Sequence, residues 1–66
     1  MKFRIGQMLM VVGKDGLRHH FKVPSRVIVE YVEKGDCLVR EAVGEIPLRQ
    51  YVSNCDLKAV KSAVVL

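Results

Sequence analysis

Residues 21–60 read FKVPSRVIVEYVEKGDCLVREAVGEIPLRQYVSNCDLKAV, and this stretch decides the fold. Its first run, Arg26-Val27-Ile28-Val29-Glu30-Tyr31-Val32, is dense in β-branched and aromatic side chains, which suit a pleated, half-buried surface. Alternation assigns Val27, Val29 and Tyr31 to one face and Arg26, Ile28 and Glu30 to the other. Glu33-Lys34-Gly35-Asp36 breaks the run, and Gly35 is expected to supply the positive φ of a tight hairpin. Residues 37–41 form the next strand, with Cys37 a small buried group on the face of Val39. Residues 42–45 mark a second turn, and residues 46–52 a third strand. Pro47 lacks an N–H donor and so belongs at that strand's start or on a sheet edge. Ser53-Asn54-Cys55-Asp56 is short and polar, suited to a 3-10 turn closed by side-chain bonds to the backbone. Residues 57–60 then resume as a strand. The expected fold is all-β: one small barrel spanning residues 1–66, of five to six strands, with a 3-10 turn before the last.

Working outward, residues 3–12 are expected to give a strand in two parts, with Gly6 a bulge or bend. Met8, Met10 and Val12 alternate with Leu9 and Val11, so both faces are apolar and a partner is expected over the outer one unless both are buried. Gly13-Lys14-Asp15-Gly16 reads as a turn. The segment beyond it brings Lys14, Arg18, His19, His20, Lys22 and Arg26 close together in sequence. These cations and imidazoles are a candidate patch for phosphates or acidic side chains. The competing reading is a solvated loop whose two histidines point to opposite sides, one of them bonded to the barrel. The apolar end, residues 62–66, is expected to pack on the first strand or to pair with a neighbouring chain.

Composition sets the scale. Sixty-six residues, half of them hydrophobic, make room for one small core, and a chain this short buries only about 60% of its unfolded surface. Eleven Lys and Arg against seven Asp and Glu give a net charge of +4, which permits an acidic protein or nucleic-acid partner without selecting either. The apolar run MLMVV is too short for a signal core or a membrane span, and Lys14 and Asp15 follow it closely. A cytoplasmic location without membrane contact is therefore expected, with Cys37 and Cys55 as reduced thiols.

The order Phe21-Lys22, Val27-x-Val29, Gly35-Asp36, Tyr51-Val52-Ser53-Asn54 and Leu57 resembles the SH3 domain and the wider group of SH3-like β-barrels. The resemblance implies the barrel and its 3-10 turn, but not proline-peptide binding. The tryptophan of the SH3 groove falls on Cys37, its proline on Ser53 and its turn tyrosine on Asp56. Without a Trp in the chain, the flat aromatic walls that hold a polyproline helix are missing. A second resemblance is local: Val11-Val12-Gly13-Lys14-Asp15-Gly16 looks like the start of the KOW motif of ribosomal and transcription-elongation modules. That motif implies a basic glycine loop on RNA, but its second half is not found in residues 17–23.

Catalytic chemistry finds no constellation. Gln50-Tyr51 is similar to the Gln-Ile-Tyr segment of the plasmid-borne SH3-like dihydrofolate reductases. Here the intervening isoleucine is missing, so the two side chains face opposite sides of a strand. Gln50 is then expected to be a buried amide tying backbones together. Asp15, Glu33, Asp36 and Glu45 fall in predicted turns and form no paired-carboxylate set. Zinc ligands come as closely spaced pairs, whereas His19 and His20 diverge in an extended chain and the cysteines lie far apart. Cys55 lacks a neighbouring cation to activate it. The reading is a non-enzymatic barrel without cofactor or metal, monomeric or homodimeric, that docks on a protein as an accessory or regulatory factor. Compact chains of this style are frequent among phage and mobile-element products that act on a host machine. The candidate surface joins the loop cations and histidines and Arg26 to Arg40, Arg49 and Tyr51 on the outer sheet face. The alternative is a nucleic-acid module using the basic loop.

Overall fold

The computed structural model describes residues 3–60. It is all-β apart from one 3-10 turn. Five strands, β1 (Met8–Val11), β2 (Ser25–Val32), β3 (Asp36–Glu41), β4 (Arg49–Ser53) and β5 (Leu57–Ala59), form one antiparallel sheet in the order β4-β3-β2-β1-β5. The 3-10 turn, Asn54–Asp56, joins β4 to β5, the two edges of that sheet. Flat, a five-stranded sheet would hold its edges about 19 Å apart. A three-residue 3-10 turn rises only about 6 Å, so the sheet must roll until its edges approach.

Rolling gives the sheet a closed inner face. Leu9 and Val11 of β1, Val27 and Val29 of β2, Cys37 and Val39 of β3, Val52 of β4 and Leu57 of β5 all point inward and are buried. Phe3 and Phe21, from the connecting segments, complete this core. Small β-branched residues dominate because a tightly curled sheet leaves little interior volume, and the two phenylalanines fill what remains.

Four sequence expectations are corrected. The first strand is shorter than residues 3–12 and comprises Met8–Val11. Gly6 turns the chain at φ +88°, and Phe3 enters the core from outside the sheet. Its outer face is also less covered than expected, with Met8 exposed. Secondly, Tyr31 does not share the face of Val27 and Val29. Val29 pairs with Val39 but Tyr31 with Leu38, so Glu30 is an extra residue in β2. That bulge reverses the alternation, sending Tyr31 outward and packing Val32 against the core. Thirdly, the strand expected over residues 46–52 begins only at Arg49. Ile46 is 93% exposed, and residues 42–48 form a wide loop tied by Glu41, whose main-chain N–H and Oε1 both bond Leu48. Pro47 precedes the strand, where no ladder bond needs its missing N–H. Finally, the positive φ predicted for Gly35 occurs instead at Gly44, at +119°. The hairpin at Gly35 closes through Glu33 N–H to Asp36 carbonyl without it. The apolar tail, residues 62–66, lies outside the described residues.

Candidate functional site

Two surfaces bear on function, and the first is the loop of residues 13–22. Three side chains from β4 and the 3-10 turn hold it in place. Asp56, fully buried, accepts the Asp15 N–H at 2.9 Å on Oδ1 and the Gly16 N–H at 2.8 Å on Oδ2. Ser53 Oγ accepts the Leu17 N–H at 2.7 Å, and Gln50 Oε1 accepts the His20 N–H at 2.6 Å. Gln50 thus tethers one backbone, and it is half-buried rather than buried. Gly16 must be glycine for this approach, because a Cβ there would run into the Ser53 side chain. The Gly16 N–H is the foremost reason that the Asp56 carboxyl titrates below the usual carboxylate range. Burial opposes the shift, while the Asp15 N–H, His19 and Cys55 reinforce it.

His19 belongs to the same scaffold. It is buried, with Nδ1 accepting the Phe21 N–H at 3.2 Å. That bonding assigns the ring proton to Nε2, which donates to the Gly13 carbonyl at 2.9 Å. The ring also lies tilted against Phe21, centroids 5.7 Å apart. His19 therefore braces the loop from inside and offers no surface to a partner, which removes it from the candidate set. His20, by contrast, is exposed, as are Lys14, Arg18 and Lys22. No ion pair or hydrogen bond joins these loop side chains to one another or to the sheet arginines among the described residues.

The second surface is the outer face of β2, β3 and β4. Strand register sets it out in rows. Tyr31, Leu38 and Tyr51 lie side by side across the three strands, and Ile28, Arg40 and Arg49 form the neighbouring row. Tyr31 is 50% exposed and Tyr51 40%. Between the rows the bulged Glu30 reaches both arginines: its Oε2 lies 3.2 Å from Arg40 Nε and its Oε1 2.6 Å from Arg49 Nε. One carboxylate thus orients two guanidiniums through their Nε atoms alone. Arg26 stands on the same face at the other end of β2, opposite Met10 of β1. Beside Tyr31 a shallow apolar depression is lined by Phe3, Arg4, Ile5 and Val32.

Other chemistry is sparse. No group of three or more His, Cys, Asp or Glu side chains is placed to hold a metal ion among the described residues. Both cysteines are free thiols, Cys37 buried and Cys55 exposed. Burial, and then the Asp36 carboxylate, push the Cys37 thiol up from its ordinary value. No helix of the described residues is long and apolar enough to cross a membrane.

Sequence reasoning placed Arg40, Arg49 and Tyr51 on one face, and the structure brings them together there. It missed Tyr31 and Leu38 as surface residues and the Asp56 and Ser53 anchors of the loop. Asp56 carried a signal in its position within the 3-10 turn, but its partners are about forty residues away in the chain. Compared with family models, with curated proteins and with solved structures, the chain matches none.

Proposed function

We propose that this barrel is a non-enzymatic docking module whose outer β2–β3–β4 face binds a partner protein, as an accessory or regulatory factor. The observation that carries the reading is the Tyr31–Leu38–Tyr51 row, two exposed tyrosines flanking a half-buried leucine on one sheet face beside oriented arginines. Tyr and Arg on a fixed scaffold are the side chains that anchor protein interfaces, since they supply large contact area at little conformational cost. The loop of residues 13–22 adds exposed Lys14, Arg18, His20 and Lys22 at the flank, held in a fixed frame by Asp56, Ser53 and Gln50.

The nucleic-acid reading rests on the same loop cations and on the KOW-like turn. Its weakness is that the Asp15 and Gly16 amides, which would cradle a phosphate, are already bonded to Asp56. Capture from a lysate of the source cells, run with and without nuclease and across a salt series, separates the two. A protein complex survives nuclease and retains most of its affinity as salt rises. A nuclease-sensitive complex that weakens steeply with salt would overturn the docking reading in favour of nucleic acid.

A further inference from the structure

The outer face also specifies the chemistry of what it receives. We infer that the Arg40–Glu30–Arg49 cluster and the adjoining row bind an acidic segment of a partner protein, its carboxylates on the two guanidiniums and an apolar side chain over Leu38. The inference rests on the docking reading above. Its ground is charge complementarity. Arg26, Arg40 and Arg49 stand on this face of β2–β4 with the carboxylates of Glu30, between the rows, and of Asp36, at the far end of β3 beside Ser53. The face therefore keeps one positive charge in excess, and its cations gather at the Arg40–Arg49 end. Glu30 occupies only the Nε edge of each guanidinium. The Arg49 guanidinium makes no other bond among the described residues, and Arg40 spends Nη1 only on a long contact, 3.4 Å, to the Glu41 carbonyl. The terminal nitrogens that bind carboxylates in pairs are therefore available, and already oriented.

The neighbouring row argues for protein over nucleic acid. Tyr31 and Tyr51 sit two strands apart, about 10 Å, with Leu38 between them. That arrangement seats a partner's aliphatic or aromatic side chain on Leu38 between two ring walls. Glu30, at the centre of the cluster, adds a negative charge that opposes a phosphate chain more than it opposes a segment with spaced carboxylates and neutral residues. A second copy of this chain is disfavoured as the occupant, because two such cationic faces repel.

The test is amide chemical-shift mapping of the full chain with three probes. They are a short peptide of mixed glutamate and leucine, the same peptide with Gln for every Glu, and oligo-deoxythymidine. The glutamate peptide should shift the amides of Tyr31, Leu38, Arg40, Arg49 and Tyr51 saturably, and the Gln peptide should not. The Arg40→Ser, Arg49→Ser double variant should bind it about tenfold more weakly, with the dispersion of its own spectrum reporting that it is folded. Equal shifts from the Gln peptide overturn the acidic-partner inference and leave protein docking standing. Shifts at this face from oligo-deoxythymidine, stronger than those from the glutamate peptide, overturn both. Silence with all three probes overturns the inference, and the nuclease-treated capture then decides the docking reading separately.

Discussion

Asp56 joins two parts of the chain that local sequence keeps far apart, because its buried carboxylate takes the Asp15 and Gly16 main-chain N–H groups of the 13–16 turn. An asparagine there keeps one acceptor and turns an amide NH2 against the other donor. Asp56→Asn should therefore lose about 1–3 kcal/mol, read as a lower urea midpoint. The same bonding fixes a pH dependence. The folded carboxyl titrates below its unfolded value of about 3.9, so the stabilisation is whole above that pH and drains away as pH falls through the folded value. Stability measured from pH 6 to pH 2 should fall less steeply at the acid end for Asp56→Asn than for the wild type. The cysteines give a second check at this scale. Exposed Cys55 should react with iodoacetamide within the mixing period of a slow assay. Cys37, buried and with its thiol pushed up, should react only as fast as the chain opens. Equal labelling rates under native conditions would contradict the packing described.

Strand existence was legible because alternation and glycine turns are local signals, and β2, β3 and β4 each overlap a segment that the sequence marks. What was not legible depends on pairing. The bulge at Glu30 has no composition of its own; it exists because β3 pairs Val39 with Val29 and Leu38 with Tyr31. A straight β2 would bury Tyr31, and replacing a buried tyrosine would cost several kcal/mol. With the bulge, Tyr31 is half-exposed and Tyr31→Ser should cost only about 1 kcal/mol, measured by thermal or chemical unfolding. Turn geometry was misplaced for a similar reason. A Gly-Asp pair signals a tight hairpin, yet the left-handed backbone occurs at Gly44 in the wide loop before β4. Gly44→Ala should destabilise by about 1 kcal/mol, while Gly35→Ala, with open space and no positive φ, should be close to neutral. The anchors Ser53 and Asp56 escaped detection because they act on amides about forty residues away, and Gln50 was legible as a backbone tether but its partner, His20, was not.

At the scale of the molecule, rolling the sheet divides the side chains into a small aliphatic interior and a convex exterior rich in Tyr and Arg. The arginines and Tyr51 of that exterior were readable from strand alternation; Tyr31's place in the row was not, since it needed the bulge. Fixing the 13–22 loop through Asp56, Ser53 and Gln50 leaves two surfaces, one cationic loop and one mixed sheet face, and the central claim is that the sheet face does the docking. The direct measurement compares capture of a binding partner, after nuclease treatment, by three folded forms of the chain. These are the wild type, a face variant (Tyr31→Ser with Tyr51→Ser) and a loop variant (Lys14→Ala, Arg18→Ala and Lys22→Ala). Loss of the partner by the face variant, with retention by the loop variant, is the predicted result. Retention by the face variant with loss by the loop variant would contradict the account.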